Sequence, residues 1–311
     1  MTRNTGIILI ILLINLSCEQ SIEVKLPSVD EKIAVKGLFS TDKILSLKIS
    51  HSKHIFDTTS TFHLDNVVVD FYENKTFIET LENTGSIYRG LKFVSTSGFK
   101  CNEKSTYSIN VYATGFGTVF AENTIPEPIQ ILIVDTSTVI AELPGWYFGH
   151  LGPYNQIRPL LECRIRFNDL PDVQNYYTLQ VETQTGQLPY VSYDQIVEYL
   201  LNNEDANCGW ECLYHYKKVC FSDKLIDGED YELVILLDEE LLKGKTYFKL
   251  YSLSREYYFY KKSVMQSFDS QLDPFAEPVQ VYSNIQNGVG IFAGASVSVD
   301  SSIVFPLPDI N

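Results

Sequence analysis

Apolar and polar residues alternate along most of the chain. Ile33, Val35 and Gly37 lead to Phe39, and Leu45, Leu47 and Ile49 face one way while Ser46, Lys48 and Ser50 face the other. Val67, Val69 and Phe71 repeat the pattern, followed by Phe77 to Leu81. Tyr107, Ile109, Val111 and Ala113 alternate with Ser108, Asn110 and Tyr112. A period of two marks strands with one buried face. Asn83-Thr84-Gly85 and Ser97-Gly98 supply turn residues between them. Short strands at this spacing predict an N-terminal immunoglobulin-like β-sandwich over residues 31–123.

Thr124-Ile125-Pro126-Glu127-Pro128 interrupts the alternation. Its prolines fix extended backbone and remove ladder donors, so a domain boundary is expected there. A second β-rich domain, 124–311, then opens with a strand near Ile129–Val134. Leu161, Cys163, Ile165 and Phe167 face inward against Glu162, Arg164 and Arg166, and Cys163 reads as a buried core thiol. After a turn at Asp169-Leu170-Pro171-Asp172, strands are expected at Tyr177–Val181, Tyr231–Leu237 and Tyr247–Leu253. One or two short helices interrupt. The first is Tyr193–Asn202. The second is Ser254–Ser267, with Ser254 as N-cap and Glu256 in the first turn. Its stripe of Tyr257, Tyr260, Val264 and Phe268 is expected to pack on a sheet. Asn287-Gly288 predicts a terminal hairpin between Val279–Ile285 and Val289–Val297.

The N-terminus changes the picture. Arg3 is followed by an apolar run from Ile7 to Leu16, which is signal-peptide length and short of the ~20 residues a spanning helix needs. The run ends in Asn15-Leu16-Ser17-Cys18, the form of a lipobox. Residues 1–17 are therefore read as a signal peptide, Cys18 as the lipidation site and residues 18–30 as a tether. Acyl chains on Cys18 would anchor the protein stably, and an outer-membrane, surface-facing location is expected. Removing Arg3 with the leader takes the net charge from −15 to −16. So acidic a chain excludes nucleic acid as a partner and disfavours a polybasic grip on anionic lipid. The 20 tyrosines and 18 phenylalanines suit strands and binding faces alike.

The densest candidate chemistry lies in a cysteine-rich insertion, about 184–222. Cys208, Cys212, His215 and Cys220 could hold zinc through three sulfurs and a nitrogen. A secreted chain meets oxidising conditions, so one disulfide within 208–220 is favoured over the metal, and no cofactor is expected. His51 and His54 are expected on an exposed loop. Gly288, Gly290 and Gly294 are spaced wrongly for a dinucleotide loop and read as turn glycines. Hydrolase and phosphate-loop motifs are absent from the sequence, and no catalytic residue is assigned.

The C-terminal stretch carries the most distinctive pattern: Asp273-Pro274-Phe275, Glu277-Pro278-Val279, Ser283-Asn284-Ile285, Asn287-Gly288 and Gly290-Ile291-Phe292. With Ser222-Asp223-Lys224, Asp227-Gly228, Glu256–Tyr260, Ile33–Gly37 and Tyr107-Ser108-Ile109, it resembles domain-of-unknown-function family 4249, lipoproteins of the Bacteroidota outer membrane. The resemblance covers nearly the whole mature chain. It implies company with TonB-dependent barrels and a role in nutrient uptake, and it carries no catalytic residues. The expected function is thus a non-enzymatic accessory subunit of such a transporter. The alternatives are a surface protein that captures glycan, peptide or metal, and, less favoured, a hydrolase.

Overall fold

In the computed structural model, the described residues are 30–53, 64–87, 89–143, 156–183, 186–188, 191–192, 220–238, 242, 244–272, 276–301 and 304–305. The expected signal peptide, Cys18, the tether up to residue 29 and the helix at 193–202 lie outside them. The first strands are β1 (Ile33–Ser40), β2 (Ser46–His51), β3 (Val68–Glu73), β4 (Thr76–Thr80), β5 (Glu82–Ile87), β6 (Gly90–Val94), β7 (Thr106–Ala113) and β8 (Gly117–Thr124). Then follow β9 (Ile131–Leu143), β10 (Gln156–Asn168), β11 (Tyr176–Thr183), β12 (Gly186–Leu188), β13 (Val191–Ser192), β14 (Cys220–Ser222), β15 (Asp230–Leu237) and β16 (Gly244–Leu253). Helix α1 (Arg255–Leu272), β17 (Val289–Asp300) and β18 (Val304–Phe305) complete the order. The chain is mainly β, as the alternation predicts.

A ten-stranded sheet runs β12-β11-β16-β17-β1-β2-β6-β5, with β14 on β11 and β18 on β16. Two four-stranded sheets, β4-β3-β7-β8 and β13-β15-β10-β9, complete the β structure of the described residues. The period-two rule places the layers. Phe39 of β1, Leu47 of β2 and Phe292 of β17 share a core with Phe71 of β3 and Tyr107 and Ile109 of β7. Leu179 of β11 and Leu250 of β16 share another with Ile165 of β10 and Leu233 of β15. Even-numbered β17 residues face the first core at Phe292 and, through the pair Leu250↔Ser298, the second. Both small sheets therefore lie on one face of the large one. Ile125 belongs to the first core and Ile129 to the second, so the Thr124–Pro128 stretch runs from one to the other.

Helix α1 covers the opposite face, with Tyr257 and Tyr258 against Tyr176, Leu253 and Ile291. Ser254 caps it as expected: its Oγ accepts the Tyr257 N–H at 3.3 Å. Fully burying a large apolar side chain contributes about 1.5–3 kcal/mol, and Tyr177, Phe167, Phe221 and Phe248 are each at most 1% exposed.

Three local expectations are corrected. Val279–Ile285 forms no strand. Instead the Asn284 side chain takes the place of a neighbouring strand, donating to the Phe292 carbonyl at 2.7 Å and accepting the Phe292 N–H at 3.0 Å. Asn83-Thr84-Gly85 is not a turn but an irregularity inside β5, where Gly85 has φ +120°. His51 ends β2 rather than sitting on a loop. Its ring packs on Phe116 and lies 3.0 Å from Glu31, while His54 lies outside the described residues. Cys163 is fully buried, as its alternation implies, and burial pushes its thiol up to about 12.

Candidate functional site

β10 positions the most unusual surface of the molecule. Its inward residues Phe167, Ile165, Cys163 and Leu161 fill the second core. The same period continues past the core through Pro159 to Ile157, and Pro159 pairs directly with Ile140 of β9. Ile140 is 78% exposed and Ile157 71%. With Leu132, 57% exposed, they include the three most exposed large apolar side chains among the described residues, and all lie on β9 or β10. Ile140 and Ile157 share a face at one end of the β9–β10 ladder, while Leu132 lies near its other end, so the two isoleucines form the exposed apolar patch that is a candidate interaction surface. Among the described residues, β9 is also the edge of its sheet. Its sequence, ILIVDTSTVIAEL, is rich in β-branched residues and holds only Asp135 and Glu142 as charges. It lacks the lysines and prolines that usually blunt a sheet edge. A long edge of this type suits addition of a partner strand.

The outward face of β10 and β15 is different. Arg164 bonds Glu162 at 2.8 Å, and Arg166 bonds Glu232 at 2.6 Å. Those exposed charges satisfy one another, and each pair contributes little to stability. The contrast leaves the apolar end of β9–β10 as the part of this sheet suited to docking. Sequence reading did not single out Ile140 or Ile157. The visible signal was an apolar period that ran longer than a strand of ordinary length requires.

The second cluster joins two turns that the sequence identifies separately. Asp169, after β10, meets Asp223 and Asp227, between β14 and β15, and their ligand-type oxygens lie within 4.8 Å of one another. Asp169 Oδ1 accepts the Tyr177 hydroxyl and, at 3.4 Å, the Asn175 amide, while its Oδ2 accepts the Gly228 N–H at 2.9 Å. Asp223 Oδ2 accepts the Asn175 N–H at 2.6 Å, and Asp227 Oδ1 accepts the Asp172 N–H at 3.0 Å. Gly228 has φ +72°, and a Cβ there would lie 2.8 Å from Pro171. The carboxylates thus stitch the 169–175 turn to the 223–229 turn. Burial is the main force that raises Asp223 to about 6, and the nearby Asp169 and Asp227 charges add to it. Asp169 and Asp223 are buried and Asp227 is exposed, so a cation would enter from the Asp227 side. The bonds already made commit the group to holding its own turns.

Of the expected cysteine–histidine group, Cys208, Cys212 and His215 lie outside the described residues. Cys220 begins β14, half-buried and opposite Thr178 of β11. In the C-terminal signature, Asp273, Pro274 and Phe275 also lie outside, and Glu277 and Pro278 are exposed. Ser283 Oγ accepts the Ile285 N–H, and Asn287 adopts φ 62°. The glycines are explained by close approach more than by turns. A Cβ on Gly288 would lie 2.8 Å from the Ile33 carbonyl oxygen, and one on Gly290 would lie 2.0 Å from that of Val35. Gly294 sits within β17 against Ile125 and Phe39. Most of the described signature therefore encodes the seating of β17 on β1.

No helix among the described residues is long and apolar enough to cross a membrane. Comparison with curated proteins finds no match. The family model described as "Domain of unknown function (DUF4249)" matches residues 19–301, and the chain belongs to that family.

Proposed function

We propose that the protein is a non-enzymatic, lipid-anchored accessory subunit of the outer membrane. It docks on a TonB-dependent β-barrel through the edge formed by β9 and β10. The observation that carries this reading is the concentration of the most exposed apolar side chains, Ile140 and Ile157, beside an unblunted edge strand. Burying both isoleucines in a partner would contribute about 3–6 kcal/mol before ordering costs. The lipobox-like Asn15–Cys18 supports the anchor, and the family resemblance supports the class of partner.

The test is a native pull-down from gently solubilised outer membranes, with the affinity tag placed after Asn311. A stoichiometric barrel is expected with the wild type. The Ile140→Asp/Ile157→Asp variant should recover at least about tenfold less barrel, while remaining membrane-bound with an unchanged circular dichroism spectrum. Absence of a barrel from the wild-type eluate, or undiminished recovery with the variant, would overturn the reading. Cys18→Ala should separately release the protein from the membrane fraction.

A further inference from the structure

The basic residues of this acidic chain are not spread evenly. Across three adjacent strands of the large sheet, Lys36 of β1 pairs with Lys48 of β2, and Lys48 pairs with Lys92 of β6. Period two puts all three on the face turned away from the first core, which takes Val35, Leu47 and Phe93. Lys32, hydrogen-bonded to Ser52 just before β1, follows the same period. Lys32, Lys36 and Lys92 are exposed and have no carboxylate partner among the described residues. The Lys48 stem lies over Gly90, where a Cβ would meet its Cε at 2.7 Å. Like charges directly opposite one another destabilise a sheet. Here two such pairs share one lysine, in a chain with 24 basic and 39 acidic residues. β1, β2 and β6 contain no acidic residue, and β5 contains Glu82 alone. Helix α1 covers the other half of this face and keeps the sign, with Arg255, Lys261 and Lys262 against Glu256 and Asp269.

The net charge of −15 opposes a grip on anionic lipid by the chain as a whole. Screening makes the near face decide instead. Charge is felt over about 8 Å at physiological ionic strength, whereas packed sheets lie about 10 Å apart. A surface against the lysines therefore meets them before the acids of the layer behind, such as Asp70 and Glu73 of β3. The tether fixes which surface that is. Residues 18–29 reach at most about 40 Å, and Lys32 and Lys36 follow directly. A lipid on Cys18 would hold these lysines at high effective concentration beside the bilayer, so a weak attraction suffices. Ile87, 41% exposed and opposite Gly90 on the edge strand β5, adds an apolar side chain at the margin.

We propose that Lys32, Lys36, Lys48 and Lys92 seat this face on anionic lipid headgroups, with Ile87 entering the interface. The inference rests on the lipid anchor read at Cys18, and it gives the anchored protein one orientation on the membrane.

The test adds the full lipidated chain to preformed vesicles of phosphatidylcholine alone or of an equimolar mixture with phosphatidylglycerol. Flotation with the neutral vesicles reports the anchor. Brief acetylation, read lysine by lysine by mass spectrometry, reports the face. Each lysine near an anionic leaflet gains about fivefold in occupancy, so Lys36 and Lys92 should acetylate at least about fivefold more slowly on the mixed vesicles. Lys75 and Lys104, in turns beside β3 and β7 of the layer behind, should react equally on both. The protection should vanish in about 0.5 M salt, where the screening length falls to about 4 Å. Lys36→Glu with Lys92→Glu should return Lys32 and Lys48 to their rates on neutral vesicles, and the wild-type rates decide if that variant does not fold. Flotation with equal lysine rates on both vesicles overturns the proposal and leaves the anchor standing. Failure to float with neutral vesicles overturns the anchor and this inference with it.

Discussion

Glu79, in the first half of the chain, and the Asp169–Asp223–Asp227 group, in the second, each fasten a loop to the end of a strand, yet Glu79 and Asp223 shift in opposite senses. Glu79 on β4 receives the hydroxyls of Ser95, Ser97 and Thr96 at 2.5, 2.8 and 3.0 Å. The N–H groups of Thr96 and Ser97 add bonds at 3.0 and 3.4 Å. Burial pushes this carboxyl up, but the hydrogen bonds outweigh it and hold the group below its ordinary value. The second group divides a similar set of donors among three carboxylates, and Asp223 rises to about 6. Burial, with the like charges of Asp169 and Asp227, wins at Asp223, whereas five hydrogen bonds outweigh burial at Glu79, because each hydrogen bond favours the ionised form while burial and like charge oppose it.

The pH dependences follow. Asp223 binds its proton more tightly in the folded chain than at its ordinary value of 3.8. Its protonation therefore adds stability that is fully present below that value and is lost as pH rises through about 6. Glu79 works the other way: its contribution is present above its ordinary value of 4.5 and is lost as pH falls below it.

Asp223→Asn tests the crowded side most strongly. The amide cannot ionise but keeps an oxygen for the Asn175 N–H. The variant should be more stable than wild type by about 2–3 kcal/mol at pH 7, with the gain vanishing near pH 4, as measured by urea unfolding across that range. A gain that did not depend on pH would remove like-charge crowding as the cause. Tyr177→Phe should cost about 2 kcal/mol, since it takes a hydroxyl from buried Asp169. The matched change in the first half is Tyr107→Phe, where the hydroxyl donates to half-buried Glu73 at 2.7 Å and accepts the N–H of exposed Asn102 at 2.7 Å. It should cost about half as much, because water can replace the hydroxyl both as donor to Glu73 and as acceptor from Asn102. Equal losses by chemical denaturation would break the distinction between a buried and a half-buried clasp. The smallest effect is expected for Glu79→Gln, about 1 kcal/mol at pH 7. That loss should disappear below pH 4.5, opposite to Asp223→Asn.

Much of this architecture was legible in the chain. The alternation at Leu45–Ile49, Tyr107–Ala113, Leu161–Phe167 and Tyr231–Leu237 located strands because each buries one face. Ser254 marked the helix start because its hydroxyl is the first local acceptor. The turns at Asp169 and Asp223-Lys224 were visible too, but not their meeting. Residues this far apart in sequence are brought together by the pairing of β10, β11, β14 and β15, which no local pattern encodes. The hairpin expectation failed at Asn284, whose side chain supplies the two bonds that a strand backbone would otherwise make. The exposed apolar end of β9 and β10 was missed because Ile140 and Ile157 have the same period as core residues. What separates them is where the facing sheet stops.

The parallel pairing of β1 with β17, from Ala34↔Val289 to Ser40↔Ala295, reaches beyond packing into the order of assembly. The first described strand waits for nearly the last. Until β17 arrives, the first core lacks Phe292, and one edge of β1 stands open. Closing so long a loop places this domain among slow folders, because chain entropy is lost before the contact is gained. During synthesis, the N-terminal half must therefore remain unfinished until the C-terminal residues have emerged, a period in which a holdase chaperone would have an open strand edge to shield.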